Sequence, residues 1–367
     1  MKIRLGVMAS AVAFVAVLMQ TGVLRAQTRT FTWENRQRQY LMYEPAGRSG
    51  ALPVMYFLHG LGDNIARCAD EMHLSDVADR YGWIVVVPQA LNVGGVAMWN
   101  AGLGGTADDA GFLLALLDTL VAEGRVNADS VFFTGFSMGG FMTHRMAIGY
   151  GDRITACAPV SGLISFAFAD DVPPVSVRMM HIHGTADPVV GWDGGSSYFG
   201  TIGISVDSVV SFWTGWNNCD DAPAVDSFPD RVGDGLRFVS YTYGGESEFR
   251  LIKVIGGIHT WYQDTNAHDI DYFDEIYRFF VGAGGPLGCV DDVEDTRFEV
   301  WPNPAAGRLN VSLQAPTTLT LYDGMGRAVM RSIAEVGTTS LDLRPLPAGL
   351  YLVVDGEGHS VKVTKVR

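Results

Sequence analysis

The chain has 367 residues, 48% apolar and 18% charged, a globular composition with core material for one large domain and a small one. A formal net charge of −14 argues against a phosphate-binding surface, and so against a nucleic-acid partner. The four cysteines show no C-x-x-C or other metal-ligand spacing, and no metal or cofactor is expected.

The first residues read as a targeting segment. Lys2 and Arg4 precede an apolar run from Leu5 to Leu18, and Leu24-Arg25-Ala26 places a small residue before Gln27. This is the form of a secretory signal peptide over residues 1–26; the run falls short of the ~20 residues that a spanning helix needs. No stable membrane span is expected elsewhere. Export makes disulfides possible among Cys68, Cys157, Cys219 and Cys289, with three full pairings open. A Cys219–Cys289 bridge would pin the end of the large domain. Cys157, inside Thr155–Val160, reads as a small buried hydrophobe.

From 29 to about 281, strand-length apolar runs alternate with helix-length segments. Arg29–Trp33, Arg38–Tyr43, Pro53–Leu58, Trp83–Pro88, Val131–Phe136, Thr155–Val160, Val177–His183 and Arg250–Ile255 read as strands. Asp108 and Asp109 open a helix whose Phe112, Leu113, Leu116, Leu117 and Leu120 share one face. Runs buried on both faces with helices between them imply a doubly wound, mainly parallel sheet, with reactive groups at its C-terminal strand ends.

Four strand ends carry chemistry. Gly135-Phe136-Ser137-Met138-Gly139 stands between an apolar strand and a helix-competent segment. A reversal this tight exposes the serine hydroxyl in front of a helix N-terminus. Asp187 follows the strand ending at His183, and His259 follows the strand ending at Ile255. The order Ser137, Asp187, His259 is that of an α/β-hydrolase. A serine hydroxyl needs a base, here His259, and the imidazole needs a carboxylate, here Asp187, to fix its tautomer. The tetrahedral oxygen needs backbone donors, for which Met138 N–H and, after His59-Gly60, Leu61 N–H are placed. Among the other histidines, His181 and His183 read as packed and hydrogen-bonded and His59 as a loop brace. His73, His144 and His268 read as surface residues. Trp99, Trp192, Tyr198, Phe199, Trp261 and Tyr262 lie in the loops after the strands and suggest an aromatic-rimmed cleft, with Trp99, Trp192 and Trp261 the candidate substrate contacts.

Residues from about 35 to 283 resemble the secreted polyhydroxybutyrate depolymerase and feruloyl esterase family of α/β-hydrolases. The matching pieces are Leu58-His59-Gly60, Trp99-Asn100, Asp108-Asp109-x-Gly111-Phe112, Gly135–Gly140, His183–Val190 and Gly257-Ile258-His259-Thr260-Trp261. The resemblance implies hydrolysis of carboxylic esters through an acyl-serine on Ser137, with Asp187 and His259 completing the triad. The substrates it implies are feruloyl or acetyl esters of polysaccharides, or polyhydroxyalkanoate-type polyesters. Leu61, Met98 and Trp261-Tyr262-Gln263 depart from the family's usual residues around the mouth of the site. The rival readings are a serine peptidase on the same fold and a non-catalytic surface binding protein.

Beyond Gly282, a Gly-rich and acidic stretch at 284–296 reads as a linker. About seven short alternating strands over 297–367 then suggest a small all-β immunoglobulin-like sandwich. Trp301-Pro302-Asn303-Pro304, Tyr322-Asp323-x-x-Gly326-Arg327 and Leu346-Pro347-Ala348-Gly349-Leu350-Tyr351 resemble the C-terminal sorting domain of the type IX secretion system. That resemblance implies passage across both membranes by that machinery, followed by release or surface attachment. The catalytic domain is then 27–283. A carbohydrate-binding module is the weaker alternative for the tail.

Overall fold

The computed structural model describes residues 28–282, 298–313, 316–323, 328–355 and 360–366. The expected signal peptide, the linker, Cys289 and the Gly326-Arg327 pair lie outside the described residues.

The chain enters through the antiparallel pair β1 (Arg29–Trp33) and β2 (Arg36–Tyr43), then β3 (Leu52–Leu58), helices α1 (Ile65–Glu71) and α2 (Leu74–Tyr81), and β4 (Ile84–Pro88). A small hairpin, β5 (Asn92–Val93) and β6 (Val96–Ala97), leads to α3 (Asp109–Ala122). The long β7 (Val126–Phe136) runs into α4 (Met138–Tyr150), followed by β8 (Ala156–Val160) and β9 (Arg178–Gly184). A second hairpin, β10 (Gly195–Ser196) and β11 (Gly200–Thr201), precedes α5 (Val206–Trp216). The domain closes with β12 (Ala224–Ser227), β13 (Arg237–Tyr243), β14 (Phe249–Ile255) and α6 (Tyr272–Val281).

Ten strands form one sheet in the order β1-β2-β4-β3-β7-β8-β9-β14-β13-β12. The six from β4 to β14 are parallel, and the strands at both margins are antiparallel. This is the mixed, mainly parallel sheet of α/β-hydrolases. Its strands read as continuous apolar runs because each face is covered: Val54, Tyr56 and Leu58 of β3 enter a core under α3, α4 and α5, while Met55 and Phe57 enter another under α1, α2 and α6. The antiparallel β12 and β13 and the helix α5 are not among the elements expected from the sequence. Among the described residues no helix is long and apolar enough to cross a membrane.

The tail is a separate small antiparallel β-domain. One sheet holds β15 (Phe298–Trp301), β16 (Arg308–Leu313) and β19 (Gly337–Asp342); the other has the order β18 (Ala328–Ala334), β17 (Thr317–Asp323), β20 (Gly349–Val354) and β21 (Ser360–Lys365). Alternating residues of both sheets, including Leu309, Val311, Leu319, Leu321, Val353 and Val363, share one core.

Candidate active site

The turn between β7 and α4 is set by backbone crowding. A Cβ on Gly139 would fall 1.8 Å from the Leu58 carbonyl oxygen, and one on Gly135 would fall 2.6 Å from the Gly139 oxygen. Only glycine lets β3, β7 and α4 touch main chain to main chain. Between them Ser137 takes φ 56° and ψ −121°, a conformation that costs a non-glycine residue about 1–3 kcal/mol. The turn is held by Ser137 N–H, which donates to the Val160 carbonyl at 2.9 Å, and by Gly140 N–H, which donates to the Ser137 carbonyl at 2.8 Å.

Two neighbouring strand ends bring up the partners. After β9 the chain turns so that Val189 and Val190 N–H both donate to Asp187 Oδ1 at 2.8 Å. Asp187 Oδ2 lies 2.7 Å from His259 Nδ1, and His259 Nε2 lies 2.9 Å from Ser137 Oγ. An ionised carboxylate only accepts, so the imidazole proton sits on Nδ1 and the Nε2 lone pair faces the serine hydroxyl. Burial opposes the Asp187 charge. The hydrogen bond and charge of His259, with the Val190 amide, outweigh it and hold the carboxyl below its ordinary value.

Ser137 and His259 open onto a cleft of about 780 Å³ that Gly60, Leu61 and Met138 also line. Among the described residues neither the Leu61 nor the Met138 amide donates to a protein acceptor, so both remain available to an oxygen in the cleft. The rest of the wall is apolar, including Met98, Leu103, Phe136 and Val190, with Tyr198 and Phe199 at the hairpin tip and the Asp63–Arg67 ion pair at the mouth.

The three tryptophans expected to contact substrate do not line this cleft. Trp99 is fully buried and its indole N–H donates to the His59 carbonyl at 2.9 Å. Trp261 is buried against Phe57, Tyr272 and Phe273. Trp192 donates to Asp207 and carries the Lys253 ammonium 4.7 Å above its ring. Each stands in a loop after a strand, but these loops fold back onto the sheet, burying the rings of Trp99 and Trp261 and half-burying that of Trp192. Tyr262, grouped with them on the rim, is buried too. The sequence reading ranked Tyr198 and Phe199 below the tryptophans; their signal was placement in a glycine- and serine-bounded tip, where an aromatic has little to pack on.

His144 is also corrected, being fully buried rather than on the surface. Almost every residue of α4 from Met138 to Ile148 is buried, so the polar ones go in with the rest. His59 does brace its loop: Ala90 N–H donates to Nε2 at 3.1 Å, leaving Nδ1 to donate to the Gly60 carbonyl at 2.7 Å. Asp108 caps α3 by accepting Gly111 N–H at 3.0 Å. Asp109 instead points inward, 2.6 Å from Arg38 and 2.7 Å from the Asn100 amide, with both members of the ion pair almost fully buried. That pair ties the 98–109 loop behind the cleft to β2. Cys68, Cys157 and Cys219 are free thiols, and no disulfide joins the described residues. No group of three or more His, Cys, Asp or Glu side chains among the described residues could hold a metal ion.

The family described as esterase PHB depolymerase matches residues 38–211, and the secretion system C-terminal sorting domain matches residues 299–366. The chain thus resembles a feruloyl- and acetylxylan-esterase-like α/β-hydrolase domain joined to a secretion sorting domain of the type IX kind. The esterase domain is 29% identical over 155 residues to a bifunctional acetylxylan esterase/xylanase of Neocallimastix patriciarum, covering 42% of this chain and 22% of that protein. It is 28% identical over 162 residues to feruloyl esterase B of Neurospora crassa, covering 42% of this chain and 54% of that one. The chain thus spans less than two thirds of the length of these relatives. An acetyl xylan esterase structure from Aspergillus awamori superimposes with a TM-score of 0.52 at 16% identity over 70% of this chain and 99% of its own, a likeness of fold.

Proposed function

We propose that the chain is an exported serine carboxylic-ester hydrolase working through an acyl-serine intermediate. In this reading Ser137 attacks the ester carbonyl while His259 Nε2 takes its proton, and His259 then returns that proton to the leaving alcohol. Asp187 holds the imidazole in one tautomer and stabilises the transient imidazolium. Met138 and Leu61 N–H receive the oxyanion. Water repeats the sequence on the acyl-enzyme. The observation that carries the reading is the unbroken hydrogen-bond line from Asp187 through His259 to Ser137 at 2.7 and 2.9 Å, at the wall of an apolar cleft. A fluorophosphonate probe should label Ser137 stoichiometrically and stop hydrolysis of p-nitrophenyl butyrate; labelling elsewhere, or hydrolysis that survives it, overturns the assignment.

Acetylated or feruloylated polysaccharide is the substrate class favoured, ahead of polyhydroxyalkanoate. It is supported by the relatives' names and by an apolar wall with two exposed aromatics suited to a sugar or phenolic face. Rates on acetylated xylan, methyl ferulate and polyhydroxybutyrate film would rank the classes. We further propose a signal peptide at 1–26, a catalytic domain at 27–283, a linker at 284–296 and a sorting domain at 297–367 that engages the type IX machinery. The two tail sheets sharing one core support an immunoglobulin-like sandwich. Chains cut after residue 296 should hydrolyse esters normally but remain in the periplasm.

A further inference from the structure

We propose that His144, His181 and His183 form a one-way file of neutral imidazoles that positions Asp187 for the reaction, an inference that rests on the reading of the site just given. Strand alternation puts His181 and His183 on the same face of β9, the face under α4 and α5. His144 Nε2 lies 3.2 Å from His181 Nδ1, and His181 Nε2 lies 3.2 Å from His183 Nδ1. At one end, the Trp213 indole of α5 lies 3.1 Å from His144 Nδ1; at the other, His183 Nε2 lies 2.7 Å from the Val190 carbonyl.

The two ends fix the direction. An indole N–H can only donate and a carbonyl can only accept. His144 Nδ1 therefore accepts, its Nε2–H donates to His181, His181 donates to His183, and His183 donates to Val190. Reversing any ring leaves two donors or two lone pairs facing each other. Each imidazole gives one hydrogen bond and takes one, so three fully buried polar rings are satisfied with no nitrogen left for a metal.

The file ends on the residue that holds the carboxylate. Val190 takes the His183 proton on its carbonyl and gives its own N–H to Asp187 Oδ1 at 2.8 Å. His183 Nε2 is itself 3.9 Å from Asp187 Oδ2. The Asp187 turn is thus clamped from the core side, independently of its contact with His259. The charged or titratable groups facing the file are Asp187 and His259 at the site end, Cys157 on β8, Lys253 on β14 and, through Trp192, Asp207 on α5. Burial lowers the pKa of all three rings, His144 to about 3, which keeps the file uncharged.

The test uses the full chain and a p-nitrophenyl ester. His183→Phe fills the space but cannot donate to Val190; kcat should fall about 10- to 100-fold with KM within about twofold, as displacement of a catalytic group predicts. His183→Gln keeps a donor near the Nε2 position and should return kcat to within about fivefold of the parent. A folded His183→Phe enzyme with parental kcat, or a Gln variant as impaired as Phe at equal thermal stability, overturns the proposal. Asp187→Asn separates the two readings. If it is inactive while His183→Phe is fully active, only the file's role falls; if Asp187→Asn is fully active, the reading of the site falls and takes the file's role with it. Nitrogen NMR of the unmutated chain at pH 7 gives an independent check: three neutral Nε2–H rings are expected, and an imidazolium or an Nδ1–H tautomer at any of them refutes the file.

Discussion

Around Ser137 the main chains of β3, β7 and α4 meet with no side chain between them, whereas across the same cleft Tyr198 and Phe199 stand 69% and 61% exposed at a hairpin tip. The first region has no slack: atoms 1.8–2.6 Å from a hypothetical methyl leave one residue type possible. The second is held by a single pair of two-residue strands, β10 and β11, outside the ten-stranded sheet. A catalytic group placed a fraction of an ångström wrong loses most of its rate, while a substrate face tolerates adjustment. On the proposed reading, reaction and selectivity are therefore separable in this molecule.

The sharpest test of the rigid side is Ser137→Ala, which should cut kcat by up to about 10⁶-fold with unchanged melting temperature, the scale seen when a serine nucleophile is removed. Gly139→Ala should break the fold around it, costing about 3 kcal/mol or more by urea titration, since the Leu58 backbone cannot retreat. Asp109→Ala leaves the Arg38 guanidinium buried without its carboxylate and should cost about 3–5 kcal/mol.

Acid is a gentler probe. The unfolded chain protonates its imidazoles from about pH 6.5 downward, but the folded chain keeps His144 neutral to about 3. Over that window the unfolded state binds more protons, so stability falls as pH falls, by about 2 kcal/mol at pH 5 for His144 alone. His181 and His183 act in the same sense, and Asp187, held low in the fold, adds to the loss at lower pH. Asp109, raised chiefly by burial, works the other way. Melting temperatures that stay flat from pH 7 to 5 would contradict the neutral imidazoles. The smallest effect belongs to the flexible side. Tyr198→Ala with Phe199→Ala should leave kcat on p-nitrophenyl acetate unchanged and raise KM about 3- to 10-fold for a feruloyl or polymeric ester.

The parallel strands were legible because burial on both faces makes each a continuous apolar run, and Ser137, Asp187 and His259 because each follows such a run directly. The proposed oxyanion donors, Met138 and Leu61, are placed by the same reasoning. What sequence concealed was burial outside the strands. Trp99 and Trp261 follow strand ends as cleft residues would, and only the folded loop reveals which way the ring turns. His144 departs from the surface position expected of it because a helix buried on nearly all sides has no polar face to betray an inward histidine. Asp109 next to Asp108 looked like a second cap; its partner Arg38 is 71 residues earlier, beyond any local pattern.

The three side chains of the site are 50 and 72 residues apart along the chain, and the last arrives only when β14 pairs beside β9. A polypeptide still emerging from a ribosome, or drawn extended through a pore, therefore holds a serine with no base to activate it. The proposed acyl transfer can therefore begin only when the final parallel strand has docked, which makes the serine's reactivity a property of the finished sheet.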